Sequence, residues 1–211
     1  MESGLSGVLV DPTASIAPTA VVGAAPRALQ EGEWEGAGSA TVIGARASVG
    51  HFALVEEGVV VGAETIVDAY CRVEIGAWLG TGVLITHRAF VGARAQIGDG
   101  AIIGGNIGER SIVGARARVF GTLLHSHLDP DRPWDAPDSA EPSAVIGEAA
   151  FVGAQSQVVG PVLIGERAYV CAGAFVTRDV PPRHIASGVN QIVHFSEWSG
   201  PLASSSFFTA A

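Results

Sequence analysis

The sequence contains no lysine, and each of its 12 basic side chains is an arginine. Acidic residues outnumber them at 21, which gives a formal net charge of −9. Because contacts with nucleic-acid phosphates or anionic lipid surfaces need a basic field, this balance argues against both kinds of binding. We therefore expect neither a nucleic acid nor a membrane as a partner.

Cysteines and long apolar runs are scarce as well. Cys71 and Cys171 are the only cysteines, and they lie outside any zinc-ligand spacing. We expect both to be buried as small apolar residues, with no disulfide framework and no thiolate metal site. No stretch approaches the roughly eighteen uninterrupted apolar residues of a transmembrane helix, and residues 1–12 lack the features of a signal peptide. These absences predict a soluble cytoplasmic protein.

A period of six residues dominates what is present. Small aliphatic residues recur at this spacing from residue 43 to residue 103: Ile43, Val49, Val55, Val61, Val67, Val73, Leu79, Ile85, Val91, Ile97 and Ile103. The phase then shifts by two residues, resumes at Ile107, and returns at Ile146 after an interruption. A weaker series begins at Val10.

This period fits neither a helix nor a free strand, but three short strands and three turns per coil of about eighteen residues satisfy it. The aliphatic residue points inward, and the small residue after it, such as Gly44, suits a tight corner. The pattern predicts an all-β parallel β-helix over residues 1–190. Two loop insertions, at about 25–40 and 125–144, leave the coil, and an irregular C-terminal tail covers 191–211.

Several six-residue units resemble the hexapeptide-repeat acyltransferase family. Examples are 43–48 (IGARAS), 91–96 (VGARAQ) and 164–169 (IGERAY). Known members of that family are left-handed parallel β-helices, so the resemblance implies this handedness. It also implies a homotrimer with active sites in the clefts between subunits.

The second loop holds the first set of candidate site residues. The segment 176–182 (VTRDVPP) resembles the end of hexapeptide acyltransferases, in which the preceding loop carries a histidine and an acid. The resemblance implies that His127 is the general base and that Asp129 orients it. Loops on a rigid framework collect binding groups, so His125, Arg132 and Trp134 are candidate substrate contacts.

His87 is a second candidate base. Residues 87–92 (HRAFVG) resemble the stretch with the catalytic histidine in lipid A acyltransferases and bacterial amino-sugar acetyltransferases. The family usually has an acid or amide after this histidine, whereas Arg88 follows it here. The choice between His127 and His87 stays open at this point.

Acyl-CoA-dependent family members hold the cofactor along their late coils. The resemblance places the cofactor contacts on small and basic residues there: Gly153, Ala154, Ala172, Gly173, Thr177, Arg178 and Arg183. The family then usually continues with a G-x-P-A-[KR] segment, but residues 188–192 read GVNQI. This departure leaves room for another acyl carrier or for a protein without activity.

The resemblance implies an acyltransferase that uses acetyl-CoA or another acyl-CoA to modify an amine or hydroxyl of a small polar acceptor, such as an amino sugar. A neutral imidazole would take the acceptor's proton as it attacks the thioester. A non-catalytic trimeric scaffold is one alternative. A metal enzyme similar to the γ-carbonic anhydrases is another, although their His-x4-His pair is absent and we expect no metal.

Overall fold

Short strands form wherever an inward aliphatic residue is flanked by outward residues, and small residues at the corners let the chain turn. In the computed structural model, residues 7–25, 39–125 and 143–199 are described. They coil into the predicted left-handed parallel β-helix, a triangular prism with one sheet on each side. No α-helix occurs in this part of the chain.

The three sheets are named A, B and C in the order in which each coil visits them. Sheet A contains β1 (Val8–Val10), β4 (Thr41–Ile43), β7 (Val60–Val61), β10 (Trp78–Leu79), β13 (Gln96–Ile97), β16 (Ile112–Val113), β19 (Val145–Ile146) and β22 (Leu163–Ile164). Sheet B contains β2 (Ser15–Ile16), β5 (Ser48–Val49), β8 (Ile66–Val67), β11 (Leu84–Ile85), β14 (Ile102–Ile103), β17 (Arg118–Val119), β20 (Phe151–Val152), β23 (Tyr169–Val170), β25 (His184–Ser187) and β26 (Gln191–His194). Sheet C contains β3 (Val21–Ala24), β6 (Leu54–Glu56), β9 (Arg72–Val73), β12 (Phe90–Val91), β15 (Asn106–Ile107), β18 (Thr122–Leu124), β21 (Gln157–Val159) and β24 (Phe175–Val176).

The register confirms the period read from the sequence. Ile43 pairs with Val61, eighteen residues later, and Val49 pairs with Val67 at the same interval. From Ile43 onward the aliphatic positions of the repeat are almost completely buried and form one continuous core. The first coil is the end of the stack, and its inward residue Val10 stays 44% exposed.

Two successive coils are shorter than the rest. Val91 pairs with Ile107 and Ile107 pairs with Leu123, so each of these steps spans sixteen residues. The sequence revealed the first shift of two residues, but not the second, which follows Val119. Both shifts remove two residues from the corner between sheets B and C.

Each type of corner forms one edge of the prism. The B–C edge carries the corners 50–53, 68–71 and 86–89, then the short corners 104–105 and 120–121, then 153–156 and 171–174. Both predicted loop insertions begin at the C–A edge of the coil, one after β3 and the other after β18. The A–B edge is the third.

The C-terminal segment differs from the sequence prediction. Residues 191–194 form β26, which pairs antiparallel with β25 and extends sheet B, so the sheet continues past the predicted boundary at residue 190. A short 3-10 helix, Phe195–Glu197, follows. The reversal was hidden because 191–194 lack the repeat's inward aliphatic and corner residues.

The outer surfaces of the three sheets differ in polarity. In sheet A, seven of the eight outward residues in one register are apolar: Leu9, Val42, Val60, Trp78, Gln96, Ile112, Val145 and Leu163. Sheet B is also mostly apolar from Ile66 to Tyr169. The outward column of sheet C mixes apolar residues, Val21, Leu54, Phe90 and Phe175, with polar ones, Arg72, Asn106, Thr122 and Gln157. Sheets A and B are therefore more continuously apolar than sheet C, as surfaces that another molecule covers often are.

Candidate functional site

The predicted site residues fall into two groups. Four residues of the second loop, His127, Asp129, Arg132 and Trp134, lie outside the described residues. Their assigned roles stay predictions. The others belong to edges of the prism that the topology fixes.

His125 is the last described residue before the second loop. It follows β18 at the C–A edge and is half-buried. Corner 86–89, which carries His87, joins sheet B to sheet C and so borders the other side of sheet C. Within one chain, sheet C therefore separates His87 from His125 and from the start of the second loop.

His87 is exposed on the B–C edge, and its surroundings are aromatic. Its ring meets the Tyr70 ring edge-on, with centroids 5.4 Å apart. The Arg88 guanidinium carbon lies 5.9 Å from the centroid of the same ring. Tyr70 also stacks on Phe52 at 5.1 Å with an interplanar angle of 22°. One tyrosine therefore contacts both His87 and Arg88, which the sequence alone did not indicate.

His51 occupies the equivalent corner position two coils earlier. Its Nδ1 lies 2.9 Å from the Thr19 hydroxyl oxygen, and its ring is 6.2 Å from that of Phe52. His51 and His87 therefore share the B–C edge, with Tyr70 on the intervening corner.

Four of the predicted cofactor residues share the edge of His87. Gly153 and Ala154 belong to corner 153–156, and Ala172 and Gly173 belong to corner 171–174. With coils about 4.8 Å apart, the first of these corners lies roughly 14 Å along the edge from His87.

The remaining three predicted cofactor residues lie elsewhere. Thr177 follows β24, and its backbone N–H donates to Asn190 Oδ1 while its hydroxyl accepts from Asn190 Nδ2. Arg178 is exposed beside it. Arg183 has φ of 60° and lies on the corner between Val180, which bridges to Ile164 of sheet A, and β25 of sheet B, which is the A–B edge. The structure therefore does not place Arg183 with the corner residues of the B–C edge.

Two short corners, 104–105 and 120–121, interrupt the B–C edge between His87 and these small residues. Each has two residues fewer than the other corners of this edge, and we call this stretch of two coils, or about 10 Å, the recess. Its floor is tightly packed: a Cβ at Gly105 would lie 1.8 Å from the carbonyl oxygen of Gly121, and one at Gly104 would lie 2.5 Å from the Phe120 ring. Thr86, His87 and Arg88 form one end of the recess, and corner 153–156 forms the other.

A buried charge cluster on sheet C was missed by the sequence analysis. The Glu56 carboxylate, whose side chain is only 2% exposed, accepts hydrogen bonds from Arg72 Nη2 at 2.7 Å and from the Ile75 backbone N–H at 3.0 Å. Arg72 Nη2 also pairs with Glu74 at 3.1 Å. Burial raises the pKa of Glu74 and the nearby Glu56 charge raises it further, whereas Arg72 lowers it. The sequence signal was a glutamate directly after an inward valine, in Val55–Glu56 and Val73–Glu74.

The cysteines provide no activated thiolate. Cys71 is buried, as predicted, whereas Cys171 is only partly buried at the B–C edge. Burial raises the pKa of both thiols. A raised pKa disfavours the nucleophilic thiolate at neutral pH.

Within the described ranges 7–25, 39–125 and 143–199, no group of three or more His, Cys, Asp or Glu side chains is arranged to hold a metal ion. In the same residues, no helix is long and apolar enough to cross a membrane.

Comparison with known protein families finds the same six-residue repeat. Residues 143–178 match the family described as bacterial transferase hexapeptide (six repeats). The match covers only the late coils, while the coil register shows the same six-residue repeat in earlier described coils. The chain is built from hexapeptide repeats. The resemblance stated from the sequence is therefore confirmed.

Individual relatives match only parts of their own length. The bifunctional protein GlmU of Sorangium cellulosum is 56% identical over 43 residues, which are 20% of this chain and 9% of that protein. GlmU of Rhizobium etli is 37% identical over 79 residues, or 37% of this chain and 16% of that protein. The hexapeptide-repeat chain thus spans only a small part of the curated relatives it matches.

Among solved structures, LpxA from Acinetobacter baumannii aligns with 93% of this chain and 80% of its own, at 17% identity and a TM-score of 0.48. The perosamine N-acetyltransferase of Caulobacter crescentus, solved with CoA and GDP-perosamine, aligns with 87% of this chain and 54% of its own, at 17% identity and a TM-score of 0.31.

Proposed function

We propose that the protein is an acyltransferase that moves an acyl group, most simply acetyl, from CoA to an amine or hydroxyl of a small polar acceptor. One observation carries the proposal. His87 and the small residues of corners 153–156 and 171–174 share the B–C edge, and the recess separates them. An imidazole at one end and small side chains at the other suit a base and a narrow cofactor arm.

The chemistry needs few groups. The acceptor nitrogen or oxygen attacks the thioester carbonyl carbon while its proton passes to the neutral imidazole of His87. The C–S bond then breaks, and the imidazolium returns the proton to the leaving thiolate. Because the thioester is already activated, no covalent enzyme intermediate is required, and both substrates can react in one cleft. A backbone N–H at a corner would stabilise the oxyanion.

A homotrimer is part of this proposal, and the outer faces of the sheets support it. In a closed ring of three copies, each copy uses two different faces, and sheets A and B are the apolar ones. If sheet A of one copy contacts sheet B of the next, the A–B edges lie near the axis. The B–C edge of one copy then lies beside the C–A edge of its neighbour.

This arrangement bears on the second candidate base. His125 and the loop with His127 start at the C–A edge, whereas His87 lies on the B–C edge. The two edges are on opposite sides of sheet C within one chain but adjacent between neighbours in such a ring. The role of His127 and the cytoplasmic location remain predictions.

The test is thiol release from acetyl-CoA over a panel of amino sugars and amino alcohols, with His87→Ala and His127→Ala beside the wild type. We expect turnover in the wild type and a loss of about 10²-fold or more in the variant that lacks the base. Turnover in no case, together with no rise in melting temperature on adding CoA, would contradict the proposal and favour the non-catalytic scaffold.

A further inference from the structure

His184 and His194 form a pair of imidazoles at the C-terminal end of the coil. The two residues lie directly opposite each other in the antiparallel pairing of β25 and β26. Their rings meet edge-on, with centroids 5.1 Å apart and an interplanar angle of 78°. Both residues are half-buried, so the hairpin holds the pair while solvent still reaches it. Sequence spacing did not reveal the pair, because the reversal of the chain at residues 188–190 was not predicted.

The pair lies on the inward side of sheet B, at the end of the core. Ala186 pairs with the inward residue Val170 and is fully buried. His184 is two residues before Ala186 on the same strand, so both side chains are on the same face. On β26, Ile192 pairs with Ala186 and packs against the core. The two imidazoles are therefore next to the A–B edge, whereas His87 is on the opposite edge of sheet B.

Hydrogen bonds fix which ring nitrogen of each neutral histidine carries the proton. His184 Nδ1 lies 2.9 Å from the Pro182 carbonyl oxygen, which can only accept. The proton of His184 is therefore on Nδ1 and the lone pair is on Nε2, which is the usual arrangement of a histidine that binds a metal ion. His194 Nδ1 instead accepts from the Ser196 backbone N–H at 3.2 Å, so its proton is on Nε2.

The Ser196 hydroxyl allows His194 to change its tautomer. The hydroxyl oxygen lies 2.8 Å from His194 Nδ1 and can either donate to that nitrogen or accept from it. When the proton moves from Nε2 to Nδ1, Nδ1 donates to the hydroxyl and Nε2 gains a lone pair, with no net uptake or release of protons. Among the described residues, neither Nε2 atom has a hydrogen-bond partner.

The distance between the rings fits two ligands of one transition-metal ion. A Zn–N bond of about 2.1 Å places a ring centroid roughly 3.3 Å from the ion, so two imidazoles at a tetrahedral angle have centroids about 5.3 Å apart. The observed separation is 5.1 Å. Imidazole nitrogen suits Zn²⁺, Ni²⁺ and Cu²⁺, whereas Mg²⁺ prefers oxygen ligands. The net charge of −9 also favours a cation.

We propose that His184 and His194 bind a divalent transition-metal ion such as Zn²⁺ through their Nε2 atoms, and that the ion joins β26 to β25. Two protein ligands leave the other coordination positions to water, so the ion is exchangeable. This site is an exception to the expectation that the chain binds no metal. It does not rest on the proposed acyltransferase function, since it uses none of the residues of the B–C edge.

Calorimetric titration of the full chain with zinc chloride tests the site, with magnesium chloride as the control. His125 and His127 are replaced by alanine in every protein compared, so that the second loop adds no zinc ligands. We expect one zinc ion per chain in this background, and at least about tenfold weaker binding after His184→Ala or His194→Ala, since groups that merely support a ligand already contribute 10–100-fold. His51→Ala, on the B–C edge, should bind zinc as the background does.

The melting temperature separates loss of the site from loss of the fold. Zinc should raise the melting temperature of the background protein, because the ion binds only the folded hairpin. His194→Gln keeps a side chain of similar size, so it should melt like the background without zinc and show no rise with zinc. Zinc binding that survives His184→Ala or His194→Gln, equal binding of magnesium, or no zinc binding at all would show that the assignment is wrong.

Discussion

At the scale of single residues, Glu56 has a structural role that its position on an outward-facing column would not suggest. Its carboxylate bonds to Arg72 and to the Ile75 backbone N–H and is almost fully buried. Removing the carboxylate would leave the Ile75 N–H without its acceptor, whereas Arg72 would keep Glu74 as a partner. The cluster therefore joins the corner after β9 to the preceding coil.

We expect Glu56→Ala to lower the free energy of unfolding by about 1.5–3 kcal/mol, the range for hydrogen bonds to a charged group. Glu56→Gln should cost less, since an amide oxygen can still accept from Ile75. Urea denaturation of both variants measures the difference. An alanine variant within about 1 kcal/mol of the wild type would show that water or another group replaces the carboxylate.

The raised pKa of Glu74 predicts that the stability of the folded protein falls as the pH rises, which is the opposite of the usual effect of a carboxyl group. Its pKa is raised in the folded state, chiefly by burial, so the folded protein favours the protonated form. As the pH rises above 4.5, the ordinary pKa of a glutamate, and through the raised folded-state pKa, ionised Glu74 costs the folded state stability. The wild type should therefore lose stability relative to Glu74→Gln over this window. Denaturation of both proteins at several pH values tests this, and a constant difference would refute it.

At the scale of elements, the six-residue period predicted the strand positions because each inward site accepts only a small aliphatic residue. Ile85 and Val91 show this spacing in full coils. The second short corner was not predicted, since Phe120 and Gly121 look like ordinary corner residues and the series ended at the loop. The Tyr70 contacts were also invisible, because they join corners eighteen residues apart.

Gly105 should be the most restrictive glycine of the recess. A Cβ there would meet the Gly121 carbonyl oxygen at 1.8 Å, and a backbone atom cannot move aside cheaply. We expect Gly105→Ala to destabilise the protein by about 3 kcal/mol or more. Gly82 is the matched control, since it has open space but φ of +66°, and alanine there should cost about 1–2 kcal/mol. Equal losses in thermal or urea denaturation would mean that the short corner relaxes.

At the scale of the whole molecule, the outer surfaces of the three sheets differ in how apolar they are. Sheet C holds polar groups, so its outward column says little about partners. Sheet A is apolar along nearly its full length, and the residue after its inward position is glycine in seven coils: Gly44, Gly62, Gly80, Gly98, Gly114, Gly147 and Gly165. A Cβ at these glycines would meet the backbone of the next coil, so they serve the close stacking of coils at the A–B edge, and the apolar outward column is what suits contact with another copy.

In the proposed homotrimer, activity requires sheet A of one copy to contact sheet B of the next. Trp78 and Ile112, 44% and 42% exposed, are apolar in a chain whose sheet C tolerates polar groups at the same register. We expect Trp78→Glu combined with Ile112→Glu to give a monomer in size-exclusion chromatography with light scattering, because two buried charges would lack partners. The wild type and the control Asn106→Glu, on sheet C, should have three times the mass of one chain. If the acceptor site needs the C–A edge of a neighbour, the monomer should fold, with a cooperative melting transition, and yet release no thiol from acetyl-CoA. A monomer with full turnover would place the whole site on the B–C edge of a single chain.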